Sequence, residues 1–277
     1  MAERGPEAWR ETVPGLVREC ADAWKLVVGP PYAAGAGGYV APVDGPDLPP
    51  AVLKLIFPHR ESRHEADALE RWNGDGAVRL LARDDARWAM LIERCEPGTK
   101  LADAAVEDPL AVLVELLPRL WKATSSPFRS LTDEAAWWTS YLPRRWEEFG
   151  RPFDRRLLDG AIEALTSLAP TQGEQVLLHQ DLHGANVLAA EREPWLVIDP
   201  KPLLGEREFG PAPIVRSSEL GHSRIAVLGR LDRLTSDLGL DRDRARGWAI
   251  GQTVAWSFDP DCVEDHAETA GWLLAAR

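Results

Sequence analysis

The spacing of apolar residues in the first third of the chain predicts one helix followed by a small β-sheet. Apolar positions recur at helical spacing over 7–24, with Pro14 as a possible break. Short apolar or alternating runs, bounded by Gly, Pro or Asp, then predict strands at 26–29, 38–43, 51–57, 77–81 and 88–93. One clear helical pattern, at 60–72, interrupts these strands.

After the Glu-Pro-Gly turn at 96–98 the pattern becomes helical. Apolar periodicity predicts helices at 109–122, 133–149, 154–168, 224–238, 242–256 and 262–276, with short β-like stretches at 176–178, 187–189 and 195–198. A sheet-rich first third joined to a helical remainder indicates two lobes, residues 1–96 and 97–277. Ligands usually bind in the cleft between two such lobes.

Composition and charge narrow the classes of function. The 277 residues are 45% hydrophobic and carry a net charge of −12, which disfavours a nucleic-acid partner and is compatible with a cationic ligand. No apolar run approaches the length of a membrane span, and we expect a cytoplasmic protein without a membrane partner. Three widely spaced cysteines suggest neither a disulfide framework nor a zinc site.

The strongest chemical signal is the segment HQDLHGAN at 179–186, which has the form H-x-D-x-x-x-x-N of a kinase catalytic loop. Phosphoryl transfer needs a group that orients the acceptor hydroxyl, together with oxygen ligands for metal ions on the phosphates. Asp181 is the candidate base and Asn186 a neutral ligand for Mg²⁺. The apolar run 195–198 then ends in Asp199, which we expect to be the principal metal ligand.

The two histidines of this segment have a different interpretation. His179 and His183 have the i, i+4 spacing of a metal pair, but a loop that contains Gly184 offers no helix to present them on one face. We therefore do not expect zinc. His179 is expected to hold the backbone of the loop by hydrogen bonds.

A lysine in the third apolar strand is the candidate phosphate ligand. Lys54 lies in the middle of Val-Leu-Lys-Leu-Ile, where a charged side chain must be paired or expensively desolvated. Glu61 and Glu65 both qualify as its partner, because a separation of four residues puts them on the same helical face. The alternative is an exposed lysine on an edge strand.

Two weaker segments are candidates for nucleotide binding. The run Gly35-Ala36-Gly37-Gly38 would let the backbone approach phosphates at Gly37 and Gly38, although a flexible hairpin explains its composition equally well. At the end of the last strand of the sheet, Glu93 and Cys95 would offer backbone groups to the adenine edge. This second assignment depends on position alone.

At these residues the chain resembles the aminoglycoside phosphotransferase family, in the branch that contains streptomycin 6-phosphotransferases and hydroxyurea kinases. The specific part is LLHQDLHGANVLAAEREPWLVIDPKPLLGEREF at 177–209, and weaker similarity extends over roughly 25–260. The resemblance implies an α+β, protein-kinase-like bilobed fold, with a small β-rich N-lobe that binds ATP or GTP and a larger, mostly helical C-lobe that holds the catalytic loop and the acceptor.

The same resemblance implies roles for individual residues. It makes Asp181 the catalytic base, gives Mg²⁺ to Asn186 and Asp199, and pairs Lys54 with Glu65 rather than Glu61. Two departures from the family pattern concern the acceptor site and the nucleotide site. Phe-Gly-Pro at 209–211 stands where relatives usually have an aromatic residue followed by Asp, and the glycine-rich loop has an unusual composition.

The expected function is therefore ATP-dependent transfer of phosphate to a hydroxyl of an aminoglycoside antibiotic, with streptomycin the first choice. Alternatives are a kinase of the same fold that acts on hydroxyurea or another small hydroxyl compound, and a nucleotide-binding module without turnover. The acceptor residues carry no short motif, and the oligomeric state is open. The acidic candidates for acceptor binding are Glu206, Glu208, Glu219, Asp259, Asp261 and Asp265.

Overall fold

The N-terminal part of the protein is a helix packed on an antiparallel sheet. The structure, a computed structural model, describes residues 5–32 and 38–276. The elements of this part are α1 (Pro6–Trp24), β1 (Val27–Val28), β2 (Gly38–Asp44), β3 (Ala51–Ile56), α2 (Glu65–Trp72), β4 (Leu80–Asp84) and β5 (Ala89–Glu93). The strands lie in the order β1-β2-β3-β5-β4, so β3 is central.

Both faces of β3 are buried, which explains its continuous apolar sequence. Because side chains alternate along a strand, Leu53 and Leu55 pack toward α1, in a cluster that includes Cys20. Val52 and Ile56 lie on the opposite face and join the larger core of the protein. Lys54 shares that second face, which faces the helical part of the chain.

The remainder of the chain is mainly helical. Its elements are α3 (Pro109–Leu120), β6 (Arg129–Ser130), α4 (Leu131–Glu148), α5 (Arg155–Leu168), β7 (Gln175–Leu178), β8 (Val187–Ala189), β9 (Trp195–Val197), β10 (Leu203–Glu206), α6 (Ala212–Arg216), α7 (Arg224–Leu238), α8 (Arg242–Ala255) and α9 (Val263–Ala275). Strands β6, β10 and β7 form one small sheet, and β8 pairs with β9. The protein thus has the small sheet lobe and larger helical lobe expected from its pattern.

One hydrophobic core is continuous across the two lobes. Leu69 and Trp72 of α2 belong to the same buried cluster as Leu117 of α3 and Val197 of β9. The indole Nε1 of Trp72 also donates to the carbonyl of Leu120 at 2.8 Å. Helix α2 is therefore fixed against the helical lobe.

Some predicted boundaries are wrong, and the reasons are local. The strand predicted at 77–81 begins at Leu80, because Ala77 bridges to Val197 and the Val78 N–H donates to the Val197 carbonyl. The helix predicted at 60–72 begins at Glu65 after a turn. Helix α1 continues through Pro14, although proline lacks the N–H that would donate to the Arg10 carbonyl one turn earlier. Among the described residues, no helix is long and apolar enough to span a bilayer.

Candidate active site

The catalytic-loop segment lies between β7 and β8 and is held by its own side chains. His179 Nε2 donates to the carbonyl of Ile198 at 2.9 Å, and its Nδ1 accepts from the backbone N–H of Asp181 at 3.2 Å. Burial lowers the pKa of His179 to about 4, so the ring stays neutral in this role. Asn186 Nδ2 donates to the Asp181 carbonyl at 2.9 Å, which leaves its amide oxygen for another ligand.

Asp199 follows β9 in a left-handed backbone conformation, with φ of 57°. Non-glycine residues adopt this conformation infrequently, and such positions cluster at functional sites. Its Oδ1 lies 2.5 Å from Lys54 Nζ, while about half of its side chain, 49%, is exposed to solvent. The strand end therefore presents a carboxylate that faces both the lysine of the sheet lobe and open space.

Lys54 connects two carboxylates across the lobes. Its Nζ lies 2.5 Å from Glu65 Oε1 as well as from Asp199 Oδ1, and its side chain is only 9% exposed. Burial by itself would lower the pKa of Lys54, but the two carboxylates raise it above its ordinary value, so the ammonium stays charged. The exposed edge-strand alternative is wrong, because β3 is central and both of its faces are covered.

The two carboxylates respond differently to the same ammonium. Burial raises the pKa of Glu65 to about 7 even though Lys54 opposes the shift. For Asp199, burial also favours the neutral form, but Lys54 outweighs it and lowers the pKa. Asp199 is thus the carboxylate that stays ionised and accessible, as a metal ligand must. Glu61, the other predicted partner of Lys54, makes no ion pair with it among the described residues.

Asp181 is held by two cations that the sequence pattern did not reveal. Lys201 Nζ lies 2.8 Å from its Oδ2, and Arg216 Nη2 lies 3.1 Å from its Oδ1. Burial would raise the pKa of Asp181, but Lys201 and Arg216 outweigh it and lower the pKa to about 2. Both cations lie over the ring of Trp256, 4.5 Å and 4.4 Å from its centroid. Trp256 therefore helps to fix the groups that hold the candidate base.

These residues come from separate elements, which explains why no short motif contained them. Lys201 lies two residues after Asp199, Arg216 ends α6, and Trp256 follows the end of α8. The one available signal was the lysine of Ile-Asp-Pro-Lys-Pro, a charged residue directly after the buried strand that delivers Asp199. Arg216 and Trp256 become part of the site only through the packing of α6 on α8.

The segment at the end of β5 offers a backbone group, rather than its side chains, as a candidate ligand. The carboxylate of Glu93 accepts from Arg192 Nε at 2.8 Å and from the Arg79 N–H at 3.0 Å, so its side chain is already bound. The Cys95 N–H donates to no backbone carbonyl within 5–32 and 38–276. Burial raises the pKa of the Cys95 thiol to about 12, so only the backbone of Cys95 is a candidate ligand.

The glycine-rich segment lies largely outside the described residues, and Gly37 is among those that are not described. Gly38 begins β2 and pairs with Ile56. A Cβ at Gly38 would come within 2.5 Å of the Leu55 carbonyl oxygen. The close approach of two strands therefore requires glycine here, whatever the residue contributes to nucleotide binding.

Among the acidic residues considered for acceptor binding, Glu206 has a role in the fold instead. It is 1% exposed and accepts from Arg244 Nη2 at 2.7 Å and from the indole of Trp248 at 2.5 Å, which ties β10 to α8. Glu219 lies beside the catalytic loop, 3.4 Å from His183 Nδ1. Asp259, Asp261 and Asp265 line surface cavities near Trp256 and Arg216.

The chain is similar in sequence to known kinases. At 40% identity over 263 residues, the chain is similar to the streptomycin 6-kinase of Streptomyces glaucescens, with 91% of this chain and 85% of that protein covered. It is 39% identical to the hydroxyurea phosphotransferase of Kitasatospora aureofaciens, over 88% of this chain and 72% of that protein.

The fold is also shared with solved structures. A thermostable mutant of aminoglycoside phosphotransferase APH(4)-Ia, in ternary complex with AMP-PNP and hygromycin B, matches with a TM-score of 0.66 at 14% identity, over 95% of this chain and 97% of that one. This likeness concerns the fold alone and confirms the kinase-like architecture. A family model described as aminoglycoside/hydroxyurea antibiotic resistance kinase matches residues 23–258. The chain therefore belongs to the aminoglycoside/hydroxyurea antibiotic resistance kinases.

Proposed function

We propose that this protein transfers the γ-phosphate of ATP to a hydroxyl group of a cationic aminoglycoside antibiotic, with streptomycin as the acceptor. The observation that carries the proposal is the convergence of Lys54, Asp199, Asn186 and Asp181 in one chain that is about 40% identical to a streptomycin 6-kinase. In this proposal residues 1–96 bind the nucleotide, and residues 97–277 supply the catalytic loop and the acceptor site.

The nucleotide would bind between the sheet and the catalytic loop. Lys54, which Glu65 holds in place, is the ligand for its α- and β-phosphates. The free N–H of Cys95 and the backbone carbonyl of Glu93 are the groups for the adenine edge, and GTP is the alternative nucleotide. Gly37 and Gly38 would allow the phosphates to approach the backbone closely.

Two oxygen ligands fit a magnesium ion. Asp199 offers an ionised, half-exposed carboxylate, and Asn186 has an amide oxygen left over because its nitrogen donates to the loop backbone. Carboxylate and carbonyl oxygens are the ligands that Mg²⁺ prefers, with phosphate oxygens completing the coordination. When bound, the metal neutralises charge that develops on the phosphates.

Asp181 would orient the acceptor hydroxyl and take its proton. As the hydroxyl oxygen forms its bond to the γ-phosphorus, the bond between that phosphorus and the nucleoside diphosphate breaks, and the proton passes to Asp181. With its pKa lowered to about 2, Asp181 is fully ionised at neutral pH but is a weak base. It therefore acts mainly by aligning the hydroxyl and takes the proton late, once bond formation has made the oxygen acidic.

The net charge supports a cationic acceptor. A formal charge of −12 favours the approach of a positively charged molecule over a Debye length of about 8 Å at physiological ionic strength. Hydroxyurea is the second candidate, because the relative from Kitasatospora aureofaciens is named a hydroxyurea phosphotransferase. Hydroxyurea is neutral whereas streptomycin is cationic, so the negative charge of the protein would favour the approach of streptomycin over that of hydroxyurea.

A turnover assay with defined acceptors tests the proposal. The purified protein is incubated with ATP, Mg²⁺ and either streptomycin or hydroxyurea, and the product is located by mass spectrometry. We expect phosphorylated streptomycin from the parent protein and at most about one per cent of that rate from Asp181→Asn. If only hydroxyurea is phosphorylated, hydroxyurea replaces streptomycin as the proposed acceptor. If the protein binds ATP but phosphorylates neither compound, the result favours a nucleotide-binding module without turnover.

A further inference from the structure

A large cavity lies beside the candidate base, between the two lobes. Its volume is about 750 Å³, within the range of small-molecule sites. The loop between β3 and α2 contributes Glu61, helix α4 contributes Trp137 and Tyr141, and the end of α8 with the following turn contributes Trp256 and Asp259. Lys201 also lines it, and its ammonium is 2.8 Å from Asp181 Oδ2. One residue therefore separates the cavity from the candidate base.

Two carboxylates in this cavity have no arginine or lysine partner in the described part of the chain. Glu61 is 17% exposed in its side chain, and its one ion-pair contact is His59 at 3.7 Å. Asp259 accepts the backbone N–H of Asp261 and pairs with no cation. A largely buried carboxylate is costly unless a positive group compensates it. By contrast, the buried carboxylate of Glu134 in α4 is bound by two arginines.

The cations that line the same cavity already have partners. Arg144 lies 3.3 Å from Glu148, and Arg145 lies 3.8 Å from the same carboxylate. Lys201 is bound to Asp181. Each positive side chain of the cavity wall thus has a carboxylate partner, although Arg144 and Arg145 share one, whereas Glu61 and Asp259 pair with no arginine or lysine in the described part of the chain. These two carboxylates are therefore the positions in the wall that can accept a cationic group.

The loop that carries Glu61 is anchored to the helical lobe. Arg60 Nη2 lies 2.8 Å from the buried Glu134 of α4, and its guanidinium lies 3.8 Å over the ring of Trp137. Ion pairing and cation–π contact together fix the residue next to Glu61. A side chain of the nucleotide lobe is therefore held in place as part of a pocket that opens beside the catalytic loop.

We propose that this cavity is the acceptor site and that Glu61 binds a guanidinium or ammonium group of the acceptor, with Asp259 as a second carboxylate. This inference depends on the proposed function, since it names the site where that acceptor binds. Carboxylates pair strongly with guanidinium groups through two parallel hydrogen bonds, and the aromatic walls supply flat apolar surfaces for a ring. The acceptor hydroxyl then points toward Lys201 and Asp181.

The smaller cavity on the other side of Asp181 is a poorer candidate. It has a volume of about 220 Å³ and is lined by His183, Arg216 and Glu219, among others. Its size is below that of typical small-molecule sites. In that cavity Glu219 already lies beside His183. The cavity that contains Glu61 is more than three times larger.

Equilibrium binding tests the inference without turnover. Streptomycin is titrated by calorimetry into the protein saturated with Mg²⁺ and AMP-PNP, and parent, Glu61→Gln and Asp259→Asn are compared. We expect Glu61→Gln to weaken binding about 10- to 100-fold, the loss typical of a hydrogen bond to a charged group. Asp259→Asn keeps the oxygen that accepts from Asp261 and should weaken binding by a smaller factor. Affinity for AMP-PNP should be unchanged in both, which shows that each variant is folded.

A matched control removes the same charge elsewhere. Glu163 is exposed on α5, and Glu163→Gln should bind streptomycin as the parent does. Equal affinity of Glu61→Gln and parent for streptomycin would overturn the inference, even if the parent phosphorylates the compound. A parent that binds streptomycin with the expected Glu61 dependence but forms no product would instead overturn the proposed function. No binding by the parent would overturn both.

Discussion

Replacing Lys201 by methionine tests whether this lysine, which the sequence pattern did not reveal, acts through the candidate base Asp181. Methionine keeps most of the length of the side chain but removes the 2.8 Å contact to Asp181 Oδ2, leaving Arg216 at 3.1 Å and His183 at 3.7 Å beside the carboxylate. A hydrogen bond to a charged group contributes about 1.5–3 kcal/mol. Because 34% of the Lys201 side chain is exposed, we take the lower part of that range, roughly 1.5–2 kcal/mol.

This free energy corresponds to a fall in kcat of about 10- to 30-fold, since each 1.36 kcal/mol is a factor of ten in rate. The KM for nucleotide should change by less than about threefold, because phosphate binding is assigned to Lys54. Lys122→Met is the matched control. That lysine is 31% exposed and also binds a carboxylate, Asp75, at 2.5 Å, so its loss should leave kcat unchanged.

A double-mutant cycle shows whether the two residues work as a unit. Asp181→Asn alone should lower kcat by about 10²- to 10⁴-fold. If Lys201 acts by positioning Asp181, adding Lys201→Met to Asp181→Asn should lower kcat by less than about threefold more, because effects within one unit are not additive. Fully additive losses, or a single Lys201→Met variant with the kcat of the parent, would refute the reasoning.

Three further predictions concern the metal, the core and pH. Asp199→Ala should abolish Mg²⁺-dependent turnover, measured as rate against Mg²⁺ concentration, and an unchanged Mg²⁺ profile would contradict the assignment. Glu206→Gln should lower the free energy of unfolding in urea by roughly 3 kcal/mol, because it breaks a buried pair with Arg244, whereas a loss below about 0.5 kcal/mol would show that the pair is dispensable. Burial lowers the pKa of His266 from 6.5 to about 4, so the unfolded chain takes up its proton first and stability falls as pH drops from 6.5 toward 4. Between pH 7.5 and 5.5 this group should account for roughly 1 kcal/mol of the decrease in the free energy of unfolding, measured in urea, and the decrease should be smaller by that amount in His266→Asn. The same decrease in His266→Asn and in the parent would contradict this prediction.

The parts of the site that the sequence predicted are those that one local segment determines. Asp181 and Asn186 belong to one loop, and Asp199 follows β9, the second strand after that loop, so all three residues lie within one short stretch of the chain whose spacing could be recognised. Lys54 could be predicted because a charge in a fully apolar strand requires a partner. The choice of Glu65 over Glu61 came from the family resemblance, since helical spacing alone allowed both.

What the sequence could not predict depends on packing between distant elements. Arg216 reaches Asp181 because α6 packs on α8, and β10 pairs in parallel with the two-residue β6, which has no periodicity to detect. The shifted strand at Leu80–Asp84 has the same kind of cause. Val78 pairs its backbone with Val197, a residue more than a hundred positions later, and this contact removes it from the sheet that its apolar character predicted.

The segment from Lys54 to Glu65 connects the two halves of the proposed reaction. It begins with the lysine assigned to the phosphates, carries Glu61 in the cavity assigned to the acceptor, and ends with the carboxylate that holds the lysine. Arg60, between them, is bound to Glu134 and Trp137 of the helical lobe. Because one short anchored segment contributes to both sites, a displacement of its loop by an ill-fitting acceptor would also disturb the lysine that holds the phosphates. Under these two proposals, the same short segment would contribute both to selection of the acceptor and to alignment of the nucleotide.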